Sequence, residues 1–244
     1  MMLEFNDVTK RFGDIEAVSE VSFYVEPGEL VFITGPSGAG KTTLLRLLIR
    51  EFLPTSGKII FDGREVQKLK RRDVPKLRQS IGSVLQDYKL LGERTIGENA
   101  EVALAVCGVA KKDWEERVDQ VMSLVGLSER SDLFPSQLSG GELQRAAIAR
   151  ALILNPSLIF ADEPTGNLDD KTAEGIMDLF SKIKQEGKTV LISTHNKGIM
   201  DKHRGRILRF EAGKLVEDSD PKQRPQSEDD EVESDNGKKK KKKK

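Results

Sequence analysis

Apolar and polar residues follow different periods in different parts of the chain. About the first 30 residues alternate, as in Leu3, Phe5 and Val8, which predicts an antiparallel β edge. Apolar runs before residue 35 and at 158–161 predict buried strands of a parallel sheet, and the strand-like run at 189–193 predicts another. From about 90 to 137, apolar residues recur at helical spacing. The pattern therefore predicts an α/β fold: a mostly parallel sheet with helices, an antiparallel β edge subdomain and an inserted α-helical subdomain.

A glycine-rich motif lies between a predicted strand at 29–34 and a predicted helix at 44–49. Glycines let the backbone wrap an anion, and the N-terminus of the following helix adds unpaired N–H donors and partial positive charge. In this context we expect Lys41 to reach the β- and γ-phosphates of a nucleotide and Thr42 to ligate Mg²⁺. The motif has the spacing G-x-x-x-x-G-K-T and consists of Gly35, Pro36, Ser37, Gly38, Ala39, Gly40, Lys41, Thr42 and Thr43.

Two consecutive carboxylates, Asp162 and Glu163, follow the apolar run at 158–161. Ligand sites of open α/β sheets lie at the carboxyl ends of strands. Alternation along a strand would point the two side chains in opposite directions, so we expect different roles for them. Asp162 is expected to hold the magnesium shell, and Glu163 to orient or deprotonate the attacking water. Alternatively the pair belongs to a solvated turn, because Pro-Thr-Gly follows at 164–166.

The order and spacing of these motifs resemble the ATPase subunits of ABC transporters, over residues from about 1 to 216. The resemblance implies that Phe12 stacks on adenine, that Gln86 contacts magnesium and water, and that His195 contacts the γ-phosphate. With Lys41 and Glu163, Gln86 and His195 form the catalytic set that it implies. Without the resemblance, Phe12 would be interpreted as a core or edge aromatic and His195 as an ordinary polar residue.

The segment Leu-Ser-Gly-Gly-Glu at 138–142 resembles the signature loop of the same family. The family commonly has Gln where this chain has Glu142, and this variant also occurs. The resemblance implies that Ser139, Gly140, Gly141 and Glu142 serve the nucleotide bound by an opposite subunit. A homodimer that closes on ATP is therefore implied, because a second helix N-terminus would complete the anion cage.

Segments at 86–91, 93–99 and 103–108 are similar to the bacterial cell-division branch of this family. The similarity implies an integral membrane partner of the FtsX type, through which ATP hydrolysis activates peptidoglycan hydrolysis. It also implies that Tyr88, Lys89 and Leu90 lie where the partner docks; alternatively, these are ordinary linker residues. Lipoprotein-releasing and macrolide-efflux ATPases are close relatives, so a transport function stays open.

A soluble ATP-gated regulator is a further alternative, from another functional class. DNA-repair relatives insert a long coiled coil between the phosphate loop and the signature, and this chain has no room for one. Translation relatives fuse two ATPase units, and this chain has one. Both differences count against this alternative without excluding it.

Composition sets the expected compartment and argues against nucleic acid as a partner. The chain has 244 residues, a formal net charge of zero and one cysteine, Cys107, which we expect in the core. No N-terminal secretion signal and no apolar run of transmembrane length is recognised. These features predict a peripheral protein at the cytoplasmic face of the membrane, attached through a partner or a surface contact.

A change of composition divides the chain into an ATPase domain at 1–218, with its helical subdomain at about 90–150, and a tail at 219–244. The tail has an acidic block at 228–233 and ends in lysines at every position of 238–244. Its composition predicts disorder. Three interpretations of the tail remain. It is a solvated terminus, or its lysines bind anionic lipid, or its lysines contact nucleic acid or ribosomes unless they were added artificially to the natural sequence.

Overall fold

A computed structural model describes residues 1–220, which form two sheets and a group of helices. The acidic block and the lysine run lie outside the described residues. The helices are α1 (Lys41–Leu48), α2 (Val74–Gln79), α3 (Ile96–Val106), α4 (Trp114–Val125), α5 (Gly140–Leu152), α6 (Asp170–Gln185) and α7 (Lys197–His203). The strands are β1 (Leu3–Phe12), β2 (Ile15–Val25), β3 (Leu30–Thr34), β4 (Ser56–Phe61), β5 (Arg64–Glu65), β6 (Ile81–Val84), β7 (Leu158–Asp162), β8 (Thr189–Ser193), β9 (Arg206–Glu211) and β10 (Lys214–Asp218).

The smaller sheet is antiparallel and has the order β2-β1-β4-β5. Its inner face carries the alternating apolar residues: Phe5 stacks on Phe23 at 4.7 Å between ring centroids. Phe23 in turn meets the edge of Phe210 on β9, at 6.3 Å, and so joins the two sheets. β4 and β5 are linked by a two-residue turn of Asp62 and Gly63, both with positive φ, as Asp-Gly hairpins require.

The larger sheet has the order β10-β9-β3-β8-β7-β6, and its strands are parallel from β9 to β6. All five residues of β7 and of β8 are buried. Helices α3 to α6 pack on one face around a core that includes Phe180, and α1 with the smaller sheet packs on the other around Phe160. The predicted α/β class, with its antiparallel β edge and helical insertion, is confirmed.

The helical segment between β6 and β7 contains α3, α4 and α5, which contact one another. Val118, Met122 and Val125 of α4 are buried, as their spacing predicts. The expectation for Cys107 was wrong: the residue is half-buried, at the C-terminus of α3. The apolar run around it enters the core only on one side of α3: Leu104 is completely buried, whereas Val106 is 81% exposed.

A buried ion pair joins the last two strands of the described chain. Arg206 of β9 makes two hydrogen bonds to the carboxylate of Asp218 on β10, of 2.8 and 2.6 Å. Arg206 also lies 3.3 Å from Glu29 and donates to the carbonyl of Tyr24 at 2.8 Å. Burial acts to lower the pKa of Arg206, but the two carboxylates, Asp218 first, raise it above its ordinary value. The pair therefore fastens the last two strands to both sheets.

Candidate functional site

A cavity of about 650 Å³ opens at the carboxyl ends of β3, β7 and β8. It brings together segments far apart in sequence: the whole glycine-rich loop, the residues after β6 and β7, and the residue that follows Thr194. The lining residues are Ala17, Gly35, Pro36, Ser37, Gly38, Ala39, Gly40, Lys41, Thr42, Thr43, Gln86, Asp162, Glu163, Gly166 and His195. Most of the sequence-predicted site residues are thus found around one space.

Two glycines of the loop are required by close backbone contacts. Gly35 has φ +145°, and a Cβ there would lie 2.1 Å from the carbonyl oxygen of Phe210. Gly40 has φ +98°, and a Cβ there would lie 2.5 Å from the carbonyl oxygen of Ala17. The loop is therefore pressed against β9 on one side and β2 on the other, which fixes its curvature.

Lys41, the first residue of α1, turns its ammonium group into the loop. Nζ donates to the carbonyl oxygens of Gly35 and Pro36, at 2.8 and 3.2 Å, and lies 3.8 Å from Oε1 of Glu163. The side chain is only 11% exposed. A mostly buried cation beside a glycine-rich loop that leads into a helix N-terminus forms a site for an anion such as a phosphate.

Oxygen donors cluster beside Lys41. The Thr42 hydroxyl donates to Oδ2 of Asp162 at 2.8 Å, and the Ser193 hydroxyl donates to Oδ1 of the same carboxylate at 2.5 Å. With the side-chain amide of Gln86 on the cavity wall, these are the hard oxygen ligands that Mg²⁺ prefers. Among residues 1–220, no group of three His, Cys, Asp or Glu could hold a metal by itself. The residues fit a Mg²⁺ ion that shares its ligands with a nucleotide.

Glu163 and His195 form the polar rim of the cavity. Nδ1 of His195 lies 3.1 Å from Oε2 of Glu163, and the histidine side chain is 74% exposed. The expectation that Asp162 and Glu163 point in opposite directions was wrong: both reach α1, one at Thr42 and the other at Lys41. The reason is that β7 ends at Asp162 and Glu163 takes a left-handed φ of 47°, which breaks the strand alternation.

Ser193 bonds the carboxylate of Asp162 and the backbone of Glu163, a role that the sequence did not indicate. Besides bonding Asp162, its hydroxyl accepts the backbone N–H of Glu163 at 2.9 Å, and its carbonyl accepts the same N–H at 3.1 Å. Ser193 is completely buried on β8, directly opposite Asp162 on β7. The available signal for Ser193 was a hydroxyl residue at the end of a buried strand, two positions before His195.

Phe12 does not line the cavity. It lies at the end of β1, is 39% exposed, and packs edge-on against Phe52 at 5.0 Å with the Lys10 ammonium 4.9 Å from its ring centroid. Its predicted stacking on adenine stays a prediction.

The signature segment also lies away from this cavity, at the N-terminus of α5. Ser139 and Glu142 form a capping box: the Ser139 hydroxyl accepts the Glu142 N–H, while the Glu142 carboxylate accepts from the Ser139 N–H at 2.9 Å and from its hydroxyl at 2.7 Å. These bonds, the hydroxyl first, lower the pKa of Glu142 below its ordinary value. The box orders the start of α5, so that the N–H groups of Gly140 and Gly141 belong to a fixed helix N-terminus.

Comparison with known proteins agrees with this architecture. Residues 18–166 match the family described as ABC transporter. The cell division ATP-binding protein FtsE of Streptococcus pneumoniae serotype 2 is 44% identical over 218 residues, which cover 89% of this chain and 95% of the relative. FtsE of Escherichia coli (strain K12) is 43% identical over 215 residues, covering 88% of this chain and 97% of the relative.

A solved dimeric structure of the ATP-binding cassette MJ0796, in a post-hydrolysis state bound to ADP and phosphate, has the same fold. It superposes with a TM-score of 0.80 at 34% identity, covering 89% of this chain and 98% of the other. The phosphate loop, the carboxylates after β7 and the family match over most of the chain lead to one conclusion. The chain belongs to the ABC transporter family and is an ATPase.

Proposed function

We propose that this ATPase works in bacterial cell division, as a homodimer that drives an integral membrane partner of the FtsX type to activate peptidoglycan hydrolysis. The observation that carries the proposal is the similarity to FtsE proteins of distantly related bacteria, at 40–44% identity over almost the whole described chain. Such similarity extends beyond the shared ATPase motifs, because the aligned 218–220 residues include the helical segment at 86–137.

The loop and Lys41 are proposed to bind the nucleotide phosphates. The loop leads into the N-terminus of α1, whose N–H groups would face the phosphates, and Lys41 would bring a full positive charge to the β- and γ-phosphates. Thr42, Asp162 and Gln86 would hold Mg²⁺, which neutralises charge on the transferred phosphate when bound. The Ser193 bond keeps Asp162 aimed at Thr42, so that these oxygens start from a fixed arrangement.

Glu163 is proposed as the group that orients and deprotonates the attacking water. Its carboxylate lies at the rim of the cavity, between the Lys41 ammonium and the His195 ring. His195 would hold the carboxylate in place through Nδ1 and present its other ring nitrogen to the γ-phosphate. The geometry supports these roles, because both side chains line the same cavity as the phosphate loop.

A homodimer is proposed because the signature residues lie outside this chain's own cavity. Ser139, Gly140 and Gly141 start a capped helix whose N–H groups have no nucleotide within their own subunit to bind. A second copy would bring this helix N-terminus to the γ-phosphate, and ATP would then hold the two subunits together. MJ0796, solved as a dimer, supports this arrangement by similarity.

The membrane partner is proposed to dock beside Tyr88, Lys89 and Leu90. Two apolar side chains of the helical segment are exposed. Leu91, which follows Leu90 directly, is 46% exposed, and Val106 at the end of α3 is 81% exposed. Within residues 1–220, no helix has the length and apolar character needed to cross a bilayer. We therefore propose peripheral attachment at the cytoplasmic face, through the partner.

The proposal is tested with Glu163→Gln, which should keep ATP binding and slow hydrolysis, and so trap the closed dimer. The variant is held with ATP in detergent-solubilised native membranes, captured, and its companions identified by mass spectrometry, with Lys41→Ala as the nucleotide-free control. We expect a small integral protein with a large outer domain, together with division proteins. Capture of a lipoprotein-release or efflux permease would support the transport function, and capture of no membrane protein would support a soluble regulator.

Residues 238–244 are proposed to add a contact with anionic lipid. They are seven consecutive lysines, and each lysine near an anionic membrane surface contributes about 1 kcal/mol of binding free energy. Sedimentation with vesicles containing anionic phospholipid should fall when these residues are deleted. Neutral vesicles are the control, and equal sedimentation of both proteins would refute the contact.

A further inference from the structure

One arginine of the signature helix, Arg150, is bonded to the segment that follows Gln86. Its Nη2 donates to the carbonyl oxygen of Tyr88 at 2.6 Å, and its Nη1 donates to the carbonyl oxygen of Lys89. No carboxylate within residues 1–220 forms an ion pair with this guanidinium, and burial lowers its pKa from the ordinary value. The charge of a half-buried arginine is thus directed to two consecutive backbone carbonyls.

The carbonyls belong to an unusual stretch of backbone. Tyr88 and Lys89 have φ of 57° and 51°, so two successive residues with side chains lie in the left-handed region. This conformation is unfavourable for both and persists only where surrounding contacts impose it. The bonds from Arg150 hold the carbonyls of these same two residues, and the N–H of Lys89 is bonded back to the carbonyl of Asp87.

The Tyr88 side chain also lies near the start of the same helix. Its hydroxyl oxygen lies 3.7 Å from the point where a Cβ on Gly140 would stand. Gly140 is the first residue of α5, and Arg150 lies about 15 Å further along the helix. The Tyr88–Lys89 turn is therefore bonded to α5 at Arg150, and its Tyr88 side chain lies beside the signature glycine.

We propose that Arg150 is a positioning residue that joins the Gln86 segment to the signature helix, so that the two move as one body. Gln86 lines this chain's own nucleotide cavity, whereas the signature loop serves the nucleotide of the opposite subunit. Arg150 thereby couples the two nucleotide sites of the dimer within a single chain. The inference rests on the proposed function for the dimer, and it adds the residue that transmits the movement.

Coupling between the Tyr88–Lys89 turn and the signature loop should work both ways, because a coupling free energy between two sites is reciprocal. A partner that shifts the Tyr88–Lys89 turn would move α5 through the Arg150 bonds and the Tyr88 ring. Closure of the signature loop on a second nucleotide would, in return, shift the turn and Gln86. Without Arg150, the left-handed turn loses two of its bonds, and each segment can relax separately.

The first test uses the nucleotide-free monomer and does not depend on the dimer. Backbone amide exchange is compared at 86–91 and at 139–142 in the parent protein and in Arg150→Ala. We expect exchange to rise in both segments, because one arginine fastens them together. A rise in amide exchange at 86–91 without any rise at 139–142 would overturn the inference.

The second test measures the ATP concentration at which Glu163→Gln dimerises, by light scattering, with ADP affinity measured separately. Adding Arg150→Ala should raise this ATP concentration about tenfold, which lies within the usual range of coupling between sites. Adding Arg150→Lys should raise it by less. The affinity for ADP should change by less than about twofold in both. A parallel loss of ADP affinity would overturn the inference. If Glu163→Gln itself stays monomeric with ATP, the proposed dimer fails, and the exchange experiment alone decides on Arg150.

Two variants separate positioning from general stability. Arg145, on the same helix, donates to the carbonyls of Val125 and Gly175, and Arg145→Ala therefore serves as the matched control. Lys89→Gly tests the mechanism, because glycine takes a positive φ without penalty. Added to Arg150→Ala, it should leave most of the lost dimerisation unrestored, because it relieves the strain of the turn but does not rebuild the bonds to α5. Restoration by Lys89→Gly, or an equal loss in Arg145→Ala at the same melting temperature, would contradict a positioning role.

Discussion

The hydroxyl of Thr42 donates a 2.8 Å hydrogen bond to the carboxylate of Asp162, 120 residues further along the chain. This bond joins the start of α1 to the end of β7 at the floor of the cavity. The two oxygens would therefore meet the proposed Mg²⁺ as a pair, with Ser193 fixing the far side of the carboxylate.

Replacing Asp162 by Asn should weaken binding of Mg²⁺ with ATP by about 10- to 100-fold, because Asp162 is the one carboxylate among the three proposed ligands, beside Thr42 and Gln86. Affinity is measured by titration calorimetry with MgATP and with ATP in excess chelator. The loss should be confined to the Mg²⁺ series. Thr42→Ser keeps the hydroxyl and is the control, and an equal loss without Mg²⁺ would contradict the assignment.

Replacing Glu163 by Gln should lower turnover by at least about 100-fold while ATP affinity stays within about twofold. The amide preserves the shape of the side chain but cannot accept a proton from water. Steady-state phosphate release and nucleotide affinity are measured on the same preparation. Glu174→Gln, an exposed carboxylate on α6, is the control; brisk turnover in Glu163→Gln would rule out this residue as the base.

Replacing Gly35 by Ala should destabilise the nucleotide-free protein by about 1–3 kcal/mol. The new Cβ would lie 2.1 Å from the carbonyl oxygen of Phe210, so the loop or β9 must move. Gly38→Ala is the matched control, because Gly38 also has positive φ but has nothing within 4 Å of its Cβ position. Urea denaturation of the two variants gives the difference, and equal midpoints would show that the close contact costs nothing.

Glu142 should contribute to stability in a pH-dependent way. Its pKa is lowered in the folded state by the Ser139 hydroxyl and N–H, so its stabilisation is complete above the unfolded value of about 4.3. The stabilisation is then lost as pH falls through the lower folded value. Glu142→Gln keeps acceptors for the capping box but cannot titrate, so its urea midpoint should fall less steeply between pH 5 and pH 3. Parallel pH profiles for the two proteins would refute this contribution.

The parts of the site that could be predicted from sequence are those that local physics determines. The glycine-rich loop must lie between a strand and a helix, and an unbroken apolar run such as β7 must be a buried strand. Asp162 could therefore be placed at a carboxyl end before any coordinates were known. The same pattern predicted the buried face of α4 from the spacing of Val118, Met122 and Val125.

The parts that could not be predicted depend on tertiary contacts. β10 is an edge strand with mostly exposed residues, so it carries no hydrophobic period. The direction of Glu163 follows from a left-handed φ stabilised by its N–H bonds to Ser193, and no rule of alternation contains that bond. Phe12 has the right place in the motif order, yet its distance from the cavity depends on how the two sheets pack.

The ion pair of Arg206 and Asp218 completes the core within two residues of the end of the described chain. Every residue of the cavity and of both sheets precedes that point. Loss of Arg206 or Asp218 would leave the other charge buried without its nearest counter-charge, so the described fold depends on its last strand for more than sheet hydrogen bonds.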